Sequence, residues 1–94
     1  MPASSESITL SGDLHARPAG ALAVAAGRFA ATVSLATMSP TAGPRTTDAK
    51  SVLGVMGLGA TSGQEVTVAA DGPDAAEAVA ALIAILSAAT RVGG

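Results

Sequence analysis

Three short runs in this chain alternate apolar with small or polar residues one for one, and that alternation limits the fold more than any other feature. Ile8 and Leu10 alternate with Ser7, Thr9 and Ser11; Val33 and Leu35 with Thr32, Ser34 and Ala36; Val66 and Val68 with Glu65, Thr67 and Ala69. A period of two sends every second side chain to the same face, which predicts half-buried strands. Between the strands the period changes. Ala19, Leu22, Ala26 and Phe29 recur at helical spacing and predict a helix from about Ala16 to Ala30, with Gly20 and Gly27 as weak points. Asp74 opens a longer helix in which Ala75, Val79, Leu82, Ile83 and Leu86 line one face. Asp71-Gly72-Pro73 turns the chain just before it.

Two segments are less regular. Ser39-Pro40-Thr41-Ala42-Gly43-Pro44 is rich in turn residues, and Arg45-Thr46-Thr47 after it reads as a short edge strand, because a proline suits an edge better than a sheet centre. Val52 to Gly59 reads as a short helix, with Asp48 or Ser51 as its N-cap and Gly57 or Gly59 as its stop. That helix is apolar on more than one side. Either Val52, Leu53, Val55 and Met56 all enter the core, or Leu53 and Met56 are exposed as a contact surface. The order is strand, helix, two strands, short helix, strand, long helix, an α+β arrangement with its helices on one face of an antiparallel sheet.

Ninety-four residues suit one small domain, expected over 1–94 with its core at about 7–90. At that length folding buries only about 60–65% of the unfolded surface, so the core is thin. Apolar residues make up 49% of the chain, much of it alanine, with Phe29 the single aromatic, which suits helices lying close on a sheet. There is no cysteine, so disulfides and thiolate metal sites are excluded. The formal net charge is −2 with no basic cluster, which argues against nucleic acid as a partner. Residues 1–6 lack the basic and apolar regions of a signal peptide, and Ala75 to Ala89 is too short for a membrane span of roughly 20 residues. A soluble cytoplasmic protein is expected.

The chemistry concentrates at Leu14-His15-Ala16-Arg17-Pro18-Ala19, which holds the only histidine. Pro18 has a fixed φ suited to the first turn of a helix. His15 is therefore expected at the mouth of the first helix, beside the free amides of Ala16 and Arg17 and the Arg17 guanidinium. A helix N-terminus with an adjacent guanidinium suits an anion, and an imidazole there can accept a phosphoryl group among donors already in position. The plain alternative is a loop histidine without chemistry; the motif alone does not separate the two. A hydrolase is disfavoured, since one histidine without a cysteine or carboxylate cluster offers no nucleophile–base pair.

Two stretches together resemble the HPr family, the histidine-containing phosphocarriers of the bacterial phosphoenolpyruvate-dependent sugar phosphotransferase system. Leu14 to Ala19 is similar to the family's phosphorylation-site motif, and Asp48-Ala49-Lys50-Ser51-Val52-Leu53-Gly54-Val55-Met56-Gly57-Leu58-Gly59 to its second signature, with Gly63 to Val68 resembling the last strand. The similarity runs from about Ile8 to Leu86. It implies an open-faced β-sandwich in which three helices cover one face of a four-stranded antiparallel sheet in the order βαββαβα. It implies a stoichiometric carrier and not an enzyme, which takes a phosphoryl group from phosphorylated enzyme I and passes it to enzyme IIA, without cofactor or metal, as a monomer.

By the same resemblance His15 is the phosphoryl acceptor, through Nδ1. Arg17 pairs with the phosphoryl oxygens, helped by the backbone of Ala16 and Arg17. Ser51 corresponds to the serine that a dedicated HPr kinase/phosphorylase modifies in some bacteria to regulate carbon use; the residue-level alternative is a plain N-cap. Ala16, Arg17, Gly20, Val52, Leu53 and Met56 correspond to the surface on which enzyme I and enzyme IIA dock, which favours the exposed reading of the short helix. Two features depart from the pattern: Asp13 puts a carboxylate near the incoming dianion, and the connection from Met38 to Arg45, with Pro40 and Pro44, is long. Rival readings keep the fold and alter the role. One is a carrier for a dihydroxyacetone-kinase or nitrogen-related phosphorelay. The other is a regulatory adaptor acting through the Ser51 helix, against which the presence of His15 argues.

Overall fold

The computed structural model describes residues 3–10, 16–39, 43–58 and 63–89. In chain order the elements are β1 (Ala3–Thr9), α1 (Ala16–Ala26), β2 (Thr32–Ser39), β3 (Gly43–Asp48), α2 (Val52–Gly57), β4 (Glu65–Asp71) and α3 (Ala75–Ala89). The four strands form one antiparallel sheet in the order β1-β4-β2-β3. Pairing aligns Ile8 with Val66, Leu35 with Val68 and Leu35 with Thr47, so residues that match across the sheet share a face.

The alternation read from the sequence sorts the two faces. Val33, Leu35, Val66, Val68 and Ala70 are buried under the helices together with Leu22, Val55, Val79, Leu82 and Leu86. The opposite face presents Ser5, Ser7, Ser34, Thr67 and Ala69, where the Ser7 and Thr67 hydroxyls meet at 2.8 Å. α3 lies over β1, β4 and β2, α2 lies on β3, and α1 packs against both α2 and α3. Thr37 is the one buried polar residue among the described core positions, and its hydroxyl donates to the Glu65 carbonyl at 3.2 Å.

The strands are longer than their alternation indicated. β1 reaches back to Ala3 and ends at Thr9, and Leu10, just beyond it, is buried with its N–H donating to the Gln64 carbonyl at 2.9 Å. β3 runs for six residues and sits at the sheet edge as Pro44 required, because a residue without an N–H is tolerated where no neighbour needs one. Pro40, Gly12, Asp13, Gly59 and Arg91, which the sequence singled out, lie outside the described residues.

α1 stops at Ala26, four residues short of the expected Ala30, and the reason is tertiary. The Arg28 and Phe29 amides turn to the carbonyls three residues back, Ala25 and Ala26, which tightens the last turn. The next two amides leave the helix altogether: Ala30 and Ala31 donate to the two carboxylate oxygens of Asp74 at 2.9 and 2.8 Å. Those charge-assisted bonds, led by the one from Ala30, hold the Asp74 carboxyl below its ordinary range. At the same junction Gly72 has φ +150, and a Cβ there would lie 2.7 Å from the Ala31 Cα. Only glycine allows the turn before α3 to press so closely on the segment after α1.

Candidate functional site

The site is assembled from the start of α1 and the whole of α2, two helices that pack side by side. α1 opens at Ala16, the residue that follows His15 in the chain. His15 itself lies outside the described residues, and of Ala16, Arg17 and Pro18 only the helical backbone is described. Ala19, Leu22, Ala23 and Ala26 are buried and fix the helix to the core, while Gly20 is half-buried and Ala21 and Val24 are exposed on the other side. No acidic residue stands in the first turn of α1, where the leading amides form the positive end of the helix dipole.

α2 is built differently. Of the two N-caps that the sequence allowed, Ser51 is the one used: it is extended at φ −100, ψ 111, and its Oγ accepts from the Gly54 N–H at 3.0 Å. Asp48 instead closes its own turn, with Oδ1 accepting from the Lys50 N–H at 2.9 Å. A Cβ on Gly54 would collide with the Thr47 hydroxyl of β3 and sit 3.1 Å from the Ser51 Oγ, so glycine sets how closely α2 approaches the sheet.

Further ties hold α2 at both ends. Arg45 of β3 donates from Nη1 to the Gly57 carbonyl at 3.0 Å, a cation at a helix C-terminus, and Lys50 donates from Nζ to the Phe29 carbonyl at 3.2 Å just beyond α1. α2 ends at Gly57, with Leu58 as its C-cap.

Anchored in this way, α2 sends one residue inward. Val55 is fully buried, whereas Leu53 is 82% exposed, Met56 43% and Val52 39%. The alternative that all four enter the core is thereby excluded. A six-residue helix has a single buried stripe, and Val55 occupies it. Ser51, at the head of the same helix, is exposed. Two exposed apolar residues escaped the sequence reading: Met38 of β2, 64% exposed, and Val24 of α1, 61% exposed. The signal for Val24 was present, since it falls between the helical positions Leu22 and Ala26 without belonging to the stripe they define.

Comparison with known proteins agrees with this arrangement. The family model described as the PTS HPr component phosphorylation site matches residues 4–88. The chain is 42% identical over 74 residues to the phosphocarrier protein HPr of Cupriavidus necator, covering 79% of this chain and 78% of that protein. It is 36% identical over 69 residues to the phosphocarrier protein HPr of Mycoplasma capricolum, covering 73% and 72%. Its fold matches the crystal structure of a phosphocarrier protein HPr from Bacillus anthracis with a TM-score of 0.79 at 30% identity, over 93% of this chain and all of that one. Element order, sheet topology and sequence thus converge, and the chain belongs to the HPr family of phosphotransferase-system phosphocarriers.

Proposed function

We propose that this chain accepts a phosphoryl group on His15 from phosphorylated enzyme I and passes it to an enzyme IIA protein, acting as a cytoplasmic, monomeric, single-domain carrier. The observation that carries the reading is that α1 opens at Ala16, directly after the chain's only histidine. The first amides of a helix have no partner within it, and together they carry a partial positive charge.

Transfer forms a bond from phosphorus to an imidazole nitrogen, Nδ1 by family resemblance, as the bond from phosphorus to enzyme I breaks. Charge spreads over the three phosphoryl oxygens during the step, so fixed N–H donors and a guanidinium are what the reaction needs. The backbone of Ala16 and Arg17 supplies the former and Arg17 the latter. The same donors hold the phosphoryl group until an acceptor protein takes it.

Docking falls to Ala16, Arg17 and Gly20 on α1 and to Val52, Leu53 and Met56 on α2. Exposed apolar side chains held on a rigid, tied-down helix are suited to that role. Ser51 is proposed as a regulatory phosphorylation site for an HPr kinase. A dianion on its Oγ would sit at the head of the docking helix and repel an acidic partner surface.

Incubation with enzyme I and phosphoenolpyruvate, followed by mass spectrometry at neutral and acid pH, tests the proposal. The expected product is one acid-labile adduct on His15, lost in His15→Ala. Equal labelling of His15→Ala, or no labelling of the unmodified chain, would overturn it.

A further inference from the structure

At the end of β1 that leads into α1, the pairing with β4 changes step. From Ala3 opposite Asp71 to Thr9 opposite Glu65 the two strands match one residue against one. The same count sets Leu10 opposite Gln64, and the Leu10 N–H does donate to the Gln64 carbonyl, at 2.9 Å. The Leu10 carbonyl, however, accepts from the Gly63 N–H at 2.8 Å, one residue further back. Two residues before β4 thus answer a single residue after β1, and the first of them, Gly63, has φ +88. This is a β-bulge of the kind that needs a left-handed glycine at its first position. A Cβ on Gly63 would meet nothing within 4 Å, so backbone conformation and not space reserves the position for glycine.

Bulges end regular pairing, bend the strand and recur beside active sites. This one sits where two connections meet. On one side only residues 11–15, with His15 the last, separate the buried Leu10 from the start of α1 at Ala16. On the other, residues 59–62 separate Gly63 from Leu58, the C-cap of α2. We propose that Gly63 is a positioning residue for phosphoryl transfer: through the bulge it anchors Leu10, and with it the short segment that ends in His15, against the first amides of α1. Gly63 acts through the Leu10 backbone, without contact to the phosphoryl group. A misplacement of about 1 Å at a reacting group lowers a rate by up to about a hundredfold, so a loosened anchor falls on the chemical step and not on docking. This inference rests on the carrier reading above and adds to it a residue, outside both helices, that sets where the acceptor stands.

The test compares the unmodified chain with Gly63→Asn, Gly63→Ala and Gly63→Val as substrates of the source organism's enzyme I and phosphoenolpyruvate, together with hydrogen exchange of the Leu10 amide. Tolerance of left-handed backbone falls from glycine through asparagine and alanine to valine. Strand propensity runs the other way, favouring valine over asparagine and glycine, so the two orders separate the bulge from ordinary strand stability. The expected kcat is within roughly twofold of the unmodified chain for Gly63→Asn, roughly threefold lower for Gly63→Ala and roughly tenfold lower or more for Gly63→Val. KM for the chain is expected to stay within roughly twofold throughout, because no docking side chain changes. Exchange of the Leu10 amide is expected to quicken in the same order as kcat falls. If Gly63→Val does not fold, Gly63→Ala against Gly63→Asn carries the same comparison. An undiminished kcat in Gly63→Val, an equal loss in Gly63→Asn, or unchanged Leu10 exchange in Gly63→Val would overturn the inference while His15 labelling of the unmodified chain still stood. Absence of labelling in the unmodified chain would instead remove the carrier reading, and this inference with it.

Discussion

α2 and α3 are both apolar helices lying on the same face of the same sheet, and they use their apolar residues in opposite ways. α3 has fifteen residues and buries Ala75, Ala78, Val79, Leu82 and Leu86 against β1, β4 and β2. α2 has six, buries Val55 alone, and leaves Leu53, Met56 and Val52 outside. α3 is held by what it buries. α2 is held by polar ties, through Ser51 at its start, Arg45 at its end and the close approach of Gly54 to β3. A helix secured through its ends and backbone is free to present its side chains as a surface.

The largest expected effect therefore belongs to α3. Leu82→Ala removes a fully buried side chain from the centre of the core and should destabilise the fold by about 3 kcal/mol, read as a drop in denaturation midpoint with an unchanged m-value. A loss under about 1 kcal/mol would mean that α3 is as weakly committed to the core as α2, and the contrast would collapse. Next in size is Gly54→Ala, which forces a methyl against the Thr47 hydroxyl and should cost about 1–3 kcal/mol. Since alanine is otherwise the better helix former, a stabilised Gly54→Ala would show that α2 can lift off β3 freely.

How far the sequence carried depended on whether a feature was local. The strand cores at Ile8, Val33, Leu35, Val66 and Val68 and the buried face of α3 were legible because side-chain periodicity alone determines them. The first half of β1 was not: Ala3-Ser4-Ser5-Glu6 has no alternation, and backbone pairing with β4 makes it a strand. The end of α1 was not either, because the groups that stop it sit on Asp74, more than forty residues away. The candidate site divides in the same manner. The stretch around His15 and the two-sided apolar character of α2 could be read directly, but the choice between buried and exposed for Leu53 required the ties at both ends of the helix. The exposure of Val24 follows from its place off the stripe that Leu22 and Ala26 define.

Smaller effects sharpen the role of those ties. Ser51→Ala removes the hydroxyl that accepts from Gly54 and should lower stability by about 1 kcal/mol. If α2 were held by burial as α3 is, the loss would not be measurable. Asp74 makes the comparable polar tie for the junction between α1 and α3. Its carboxyl lies below its ordinary value of 3.8, chiefly because of the Ala30 amide, so ionised Asp74 favours the folded state. That contribution is complete above the unfolded carboxyl's range and is lost as pH falls through the lower folded value. Asp74→Asn should lower the melting temperature at neutral pH and shrink the difference from the unmodified chain at acid pH. A difference that grew on acidification would have the wrong sign.

Leu53→Ala is expected to be the smallest change in stability and the most informative. Leu53 is more exposed than any other large apolar side chain described, so removing it takes little out of the core and should alter stability by less than about 0.5 kcal/mol. A leucine in the core costs several times more, so the two outcomes are well separated in one denaturation experiment. If Leu53→Ala instead behaved like Leu82→Ala, its exposure would not describe the folded protein in solution, and α2 would be a core helix after all. A near-silent result makes the contrast between the helices chemical and not only geometric: the same residue type, on the same side of the same sheet, stabilises the fold in α3 and is left available to a partner in α2.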